Sequence, residues 1–533
     1  MKKIIYLALC SLLFVKCDTD QLHNLNINPQ AVNQIDLNFL FSSALLGIAS
    51  NGSSGDNRYI DWRTNIGMCG YAIQHLSTTS GGISPGDKYT DNGETRAAPF
   101  EMTYRDQLKN IAEVLKQTGK GGYDEGNKAN MRNASRILRA WSYARLVDLY
   151  GNVPYTEANT GTAGLFFPKY DDGKAIYTDL LKELDEAAGA LNAGDKDQAS
   201  FAKADFVYKG DVTKWKRFAY SQMLRIAMRE SDADAAQAAT YVGKALAGGV
   251  MQSNDDNFYV PLATGPSQWT NQNGISRAFV PSDGGQPTYL SKTLIDALKG
   301  KDASTAADDD PRLMIFTGGI GFIRVSGNDI TFQATDADPT HQKGMPNGKD
   351  QTDLNAIEGK TVDNDATYSK INAKLLQFDE PYMIQCYAEV EFLQAEAKIK
   401  NIGGVSGTDK EHYEKGVKAA MQMYTKNDAS FSVSDAAVAT YLTNYPYSSA
   451  TGLEQIATQL WLNQYLNWYE AWANWRRLDL PKLTPTNHPS NITGGRIPVR
   501  LPYPSSEVAA NPNLKTGGVS PDDYVTKVWW DKK

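Results

Sequence analysis

Between residues 461 and 475 five large aromatic side chains, Trp461, Tyr465, Trp468, Trp472 and Trp475, recur at intervals of 4, 3, 4 and 3. That spacing lays them along one stripe of a helix. A stripe of this width must bury itself against a neighbour, because each large apolar side chain removed from water contributes about 1.5–3 kcal/mol. The spacing predicts a helix over 452–477 and a core seam rather than a ligand platform. Arg476 and Arg477 close the helix, where cations suit the dipole, and they are read as structural.

The same period recurs along the chain. Ala134, Ile137, Leu138, Trp141 and Ala144 share a face in 131–150, with Gly151 as a stop. Trp215, Phe218, Ala219, Met223 and Ile226 do the same in 213–230, and Cys386, Val390, Leu393 and Ala397 after Pro381. Further helices are expected at 36–50, 101–117, 174–192, 233–247 and 410–424. The chain therefore reads as mostly α, a scaffold of paired helices over about 36–248 and 376–480. No clean 34-residue repeat stands out. Residues 249–375 are rich in Gly, Pro, Asn and Asp, with one helical stretch at 289–299 and β-like pieces such as Ile320–Val325. This is too long for a simple loop and reads as a loop-rich insert with minor β-structure. Residues 51–100 read as long loops, and 481–533 as a Pro-rich wrap, with Pro498, Pro502 and Pro504 stiffening an extended run.

At the N-terminus, Lys2 and Lys3 precede a 12-residue apolar run, Ile4–Val15, which ends near Cys17. The run is too short to span a bilayer and suits a signal peptide over 1–16. Cys17 is the expected lipidated residue, although Phe14, Val15 and Lys16 depart from the usual Leu and small residues before such a cysteine. An acyl chain holds a protein at a membrane without a spanning helix. Removing the three lysines of the leader takes the net charge from −7 to −10. That balance argues against nucleic acid, whose phosphates call for basic patches. Cys69 and Cys386 remain, either as one disulfide or as two buried thiols.

Several strings, in order, carry a resemblance: DLYGNVPYTEA (148–158), SKTLIDALK (291–299), DPRL (310–313), KGMPNG (343–348) and YAEVEFLQAEA (387–397). They continue with ATQLWLNQYLNWYEAWANWRRLDLP (457–481), IPVRLPYPSSEVAANP (497–512) and KVWWDKK (527–533). Together they resemble the SusD/RagB family of nutrient-binding lipoproteins, over roughly residues 130–533. The resemblance implies a SusD-like scaffold of tetratricopeptide-like helix pairs, anchored by lipid to the outer membrane and facing the cell surface. Acidic Asp18 and Asp20 after the cysteine fit that export. It also implies a SusC-like TonB-dependent transporter as partner. The ligand is then an oligosaccharide or, in some branches, a peptide, bound without catalysis.

The resemblance transfers no site residue by residue. Sugar capture needs flat apolar faces and short polar arms. Two loop-rich regions offer them: Trp62, Tyr71, Gln74, His75 and Tyr89 in the first, and Trp269, Asn271, Asn273, Arg277 and Tyr289 in the second. No G-x-S-x-G, HExxH, P-loop or CxxC occurs. The run GGIGFIR (318–324) lacks the last glycine of a dinucleotide loop. No cofactor is expected. Asp308–Asp310 could take calcium but lacks EF-hand spacing, and a solvated turn is the preferred reading.

Overall fold

The computed structural model describes residues 34–49, 56–79, 86–161, 164–280, 288–302 and 304–533. Cys17, the leader, Asp18 and Asp20 lie outside the described residues. Helices dominate, as the periodicity predicts. Their starts follow from short polar caps. Asp172 accepts from Lys174 N and Ala175 N ahead of helix Gly173–Ala190, and Asp211 does the same for Val212–Arg229. Thr408 and Glu411 form a reciprocal capping box on Asp409–Gln422. Helix Ala129–Tyr150 stops at Gly151, whose φ of 84° is a conformation glycine reaches without strain.

Successive helices pack as neighbours: Ala129–Tyr150 with Gly173–Ala190, Val212–Arg229 with Ala235–Gly248, and Tyr387–Ile399 with Asp409–Gln422. Between these pairs runs a buried ionic lattice. Arg225 grips Glu389, Arg229 reaches Glu470 and Arg477 makes a two-point pair with Glu396 at 2.6 and 2.7 Å. Such pairs recover little net energy over apolar packing, but breaking one leaves a bare buried charge. They fix how helices distant in sequence meet.

Among the described residues there are also seven short strands: β1 (Leu76–Ser77), β2 (Phe258–Val260), β3 (Tyr289–Leu290), β4 (Thr317–Ser326), β5 (Asp329–Asp336), β6 (Ser369–Ile371) and β7 (Tyr382–Gln385). All pairings among them are antiparallel, in the orders β1-β3, β2-β7 and β5-β4-β6. The expected insert thus supplies most of the β-structure, but it has no separate main core. Phe258, Leu294 and Phe316 belong to the same core as the helices, and only a small cluster of Tyr289, Met345, Leu354, Val362 and Tyr368 stands apart. Among the described residues no helix is long and apolar enough to cross a membrane.

Two expectations need correction. The stripe of residues 461–475 is buried throughout, yet it is carried by two helices, Gly452–Asn463 and Trp468–Leu478. The chain breaks between them, where Leu466 takes a φ of 74°. The helix ends also hold Arg476 by more than the dipole. It donates to the Asp148 and Val499 carbonyls and lies over Trp472 and Trp530. Second, residues 61–70, expected as loop, are π-helical and run on into helix through Ala72. The wider i→i+5 turn does not show the 3.6-residue period by which helices are read. Cys69 and Cys386 are both buried as free thiols, and burial pushes the Cys386 thiol up to about 11.

Candidate ligand-binding site

The π-helical segment Asp61–Gly70 begins just after a tight turn, Asp56–Tyr59, and Trp62 N donates back to the Arg58 carbonyl at 2.6 Å. The loop before helix Gly274–Phe279 lies against this turn. Asn57 makes the join. Its backbone N–H donates to the Trp269 carbonyl at 3.0 Å, and its side-chain amide donates to the carbonyls of Gln268 and Gln272. Gly274 is required by the approach: a Cβ there would sit 2.3 Å from the Asn57 carbonyl oxygen.

The join aligns rings and guanidinium groups in alternation. Arg63 lies over Tyr59 and Trp62 at 5.7 and 4.1 Å from the ring centres. Arg58 lies over Trp62 and Trp269 at 5.1 and 5.0 Å, and Arg277 over Trp269 and Phe378 at 4.6 and 5.1 Å. The result is a ladder, Tyr59–Arg63–Trp62–Arg58–Trp269–Arg277–Phe378. Each cation–π rung contributes about 0.5–1 kcal/mol where exposed and more where desolvated. Carboxylates pin two of the guanidinium groups: Asp56 holds the central Arg58 at 3.1 Å and Glu94 holds Arg63 at 2.6 Å. Tyr59, Trp62 and Trp269 are half-buried, whereas Arg277 and Phe378 are buried.

Beneath Trp62 lies Asp61, wholly buried, accepting from Tyr382 Oη at 2.8 Å and Asn65 Nδ2 at 2.9 Å. Burial pushes its carboxyl up to about 7. Asn273 caps helix Gly274–Phe279 through Ile275 N and Ser276 N and donates to the Glu380 carbonyl. Asn271 accepts from Ser267 N through Oδ1. The Trp62 indole N–H, itself buried, has no protein partner among the described residues.

Of the residues singled out from sequence, Trp62, Trp269 and Arg277 meet in this ladder, with Asn271 and Asn273 on the same loop. The others are packed into the core, for reasons their side chains make plain. Tyr71 Oη is 2.7 Å from Thr288 Oγ1, and Gln74 bonds the Thr484 carbonyl and Thr293. His75 accepts from Trp468 Nε1 at 3.1 Å and sits edge-on to Trp461, where burial pushes its imidazole down to about 3. Tyr89 Oη accepts from Thr486 N, and Tyr289 Oη donates to Asp365. None of these presents a face to a ligand. Arg58, Tyr59, Arg63 and Asn57 escaped notice in the sequence, although RYIDWR (58–63) already interleaves aromatic and guanidinium groups. No group of three or more His, Cys, Asp or Glu gathers to hold a metal among the described residues. Asp308 and Asp309 accept from Lys301 N and Gly300 N, and Asp310 pairs with Arg312.

The candidate site is thus a loop-built aromatic ladder on a scaffold of paired helices. Solved structures share the whole fold. A chitin-binding protein superposes with a TM-score of 0.76 at 29% identity, covering 93% of this chain and 100% of that one. The Bacteroidetes SusD-like protein AC2a matches with a TM-score of 0.76 at 26% identity, covering 94% and 100%. A chitin-binding SusD homologue from Flavobacterium johnsoniae matches in fold with a TM-score of 0.69 at 23% identity, covering 93% and 98%. Comparison with curated proteins found no match. Residues 29–504 match the SusD-like family described as starch-binding and associating with the outer membrane, and the chain belongs to that family.

Proposed function

We propose that the Trp62–Arg58–Trp269 ladder is where this protein holds an oligosaccharide, with chitin fragments as the favoured class. One observation carries the reading. Two loop regions some 200 residues apart place their tryptophans in one stack, half-exposed. Two guanidinium groups lie over each indole, so the ligand meets ring edges and N–H donors more than a bare flat face. Such donors suit hydroxyl and acetamide oxygens. The chitin-binding relative at 29% identity supports the choice of sugar. In this reading Cys17 bears the lipid anchor at the outer face of the outer membrane. The protein then passes its ligand, unaltered, to a SusC-like TonB-dependent transporter that it covers.

Calorimetric titration of the soluble chain from Asp18 tests the site against chito-oligosaccharides, malto-oligosaccharides and a peptide digest. Heat with chito-oligosaccharides that disappears in Trp269→Ala and Trp62→Ala is expected. Heat with peptides alone would move the reading to peptide capture. Sugar binding untouched by both substitutions would remove the ladder as the site.

A further inference from the structure

A groove of about 890 Å³ lies between β5 and the segment 430–434, away from the residues of the ladder. Its volume falls within the usual range for ligand sites. Ile330, Phe332 and Ala334 form one wall; Phe431, Val433 and Ser434 belong to the other.

The alternation of hydrogen bonds identifies what that first wall offers. Gly327 and Asn328 make a two-residue turn closed by Ser326 opposite Asp329, followed by Val325 opposite Ile330, Arg324 opposite Thr331 and Ile323 opposite Phe332. In an antiparallel ladder every second pair exchanges main-chain bonds. Counting from the closing pair, Asp329, Thr331 and Gln333 bond to β4, whereas Ile330, Phe332 and Ala334 turn their N–H and C=O groups outward. Gln377 confirms the direction: its Nε2 donates to the Ile330 carbonyl at 2.7 Å, and Ile330 N donates to its Oε1 at 3.4 Å. The carboxamide there stands in for one residue of a neighbouring strand. Phe332 and Ala334 continue the same side, make no main-chain bond outside the hairpin, and line the groove.

β5 is the edge of its sheet. Protein edges are usually blunted by lysine, proline or a cover. Asp329–Asp336 reads DITFQATD, with neither lysine nor proline. Only the register shift next to Gly321, opposite Ala334, ends the run. Asp329 and Asp336 stand at the two ends of the edge, Asp336 beside His341 at 2.9 Å, and the lining cation Lys374 is paired with Asp428 at 3.0 Å.

We propose that this groove accepts a short, extended peptide strand bearing a basic residue, which pairs with β5 at Phe332 and Ala334 and sets alternate apolar side chains against Phe431 and Val433. The pairing supplies affinity through main-chain bonds, and the recess supplies selectivity. The site is separate from the glycan ladder and does not depend on that reading.

The test selects phage-displayed random heptapeptides on the immobilised soluble chain and then titrates the enriched peptides in solution. Enriched peptides should alternate apolar residues, carry Lys or Arg, and bind more weakly at high salt. Proline is tolerated at an outward-facing edge position, so Ala334→Pro removes one donor without touching the β4 ladder. It should weaken the peptides about tenfold, as one lost main-chain bond implies. Val433→Lys, which opposes the basic residue from the other wall, should also weaken them. Amide exchange at Phe332 and Ala334 should slow when peptide is bound. The proposal fails if no peptide is enriched, or if peptides bind both variants as they bind the parent. It also fails if chito-oligosaccharides displace the peptides, which would put them on the ladder. Self-association abolished by Ala334→Pro would give the edge to a second copy and overturn it as well.

Discussion

Two aromatic-rich regions of this molecule look alike in composition and behave as opposites. The stripe of residues 461–475 lies wholly in the core, whereas Trp62 and Trp269 stand half-exposed. The difference lies in what meets the indole N–H and the ring. In the stripe every N–H that bonds does so inside the protein: Trp461 to the Ile73 carbonyl, Trp468 to His75 and Trp472 to the Pro498 carbonyl. In the ladder the rings lie between arginines, with Arg58 and Arg63 each held by a carboxylate. An aromatic group with its polar atom satisfied is committed to the fold. One spaced by guanidinium groups is left half-exposed at the surface.

Truncation separates the two most sharply. Trp468→Ala should cost about 3–5 kcal/mol, the usual range for removing a buried tryptophan, because the cavity can close only in part. It would also strand His75 Nδ1. Urea unfolding of the soluble chain measures this. A loss below about 1 kcal/mol would mean that the stripe is not the seam it looks like.

The floor of the ladder answers to pH. Asp61 is held up near 7 by burial, against an ordinary value near 3.8. A carboxyl raised by folding favours the fold fully below its unfolded pKa, and that support is lost as pH climbs through the folded value. Between pH 4 and 7 the parent should therefore lose stability relative to Asp61→Asn, by on the order of 2–4 kcal/mol. Asparagine keeps an oxygen for Tyr382 without the charge. Parallel melting curves of parent and variant across this window would contradict the sign.

How much of this was legible beforehand follows the same division. The stripe announced its burial, because a 3.6-residue period and apolar bulk are both written locally. Its break at Leu466 was not, since nothing in the run QYLN marks a left-handed residue. Trp62 and Trp269 could be suspected as exposed aromatics, but their meeting depends on Asn57 and Gly274, whose bonds cross some 200 residues. His75, Tyr71 and Tyr89 looked like site residues because polar and aromatic groups clustered in a loop-like stretch. Their burial rests on bonds to distant residues, Trp468 for His75, Thr288 for Tyr71 and Thr486 for Tyr89, which no local period announces.

Trp269→Ala sharpens the comparison from the other side. It should leave stability within about 1 kcal/mol of the parent, because a half-buried ring loses cation–π contacts with Arg58 and Arg277 while its backbone bond to Asn57 remains. Affinity for chito-oligosaccharide should fall by about 2 kcal/mol, roughly thirtyfold, as for an aromatic anchor at the centre of a contact. Equal losses in stability and affinity would show that Trp269 belongs to the core class after all.

The smallest effect should come from Asn57, which touches no ligand in this reading. Its side-chain amide ties the turn to the carbonyls of Gln268 and Gln272, while its Oδ1 is buried without a partner. Asn57→Ala thus removes two bonds and one unsatisfied acceptor together, and the net cost to folding should stay near 1 kcal/mol. The backbone bond from Asn57 N to Trp269 survives the change, so the loop remains attached but loses its lateral hold. The spacing of Trp62 and Trp269 across Arg58 then loosens. Affinity should drop about three- to tenfold, which is 0.7–1.4 kcal/mol, through ordering that the ligand must now impose. Asn57→Asp separates alignment from simple packing, because it keeps the shape and replaces the donor with an acceptor facing two carbonyls. A variant aspartate that binds sugar as well as the parent would show that the ladder is held by its arginines alone.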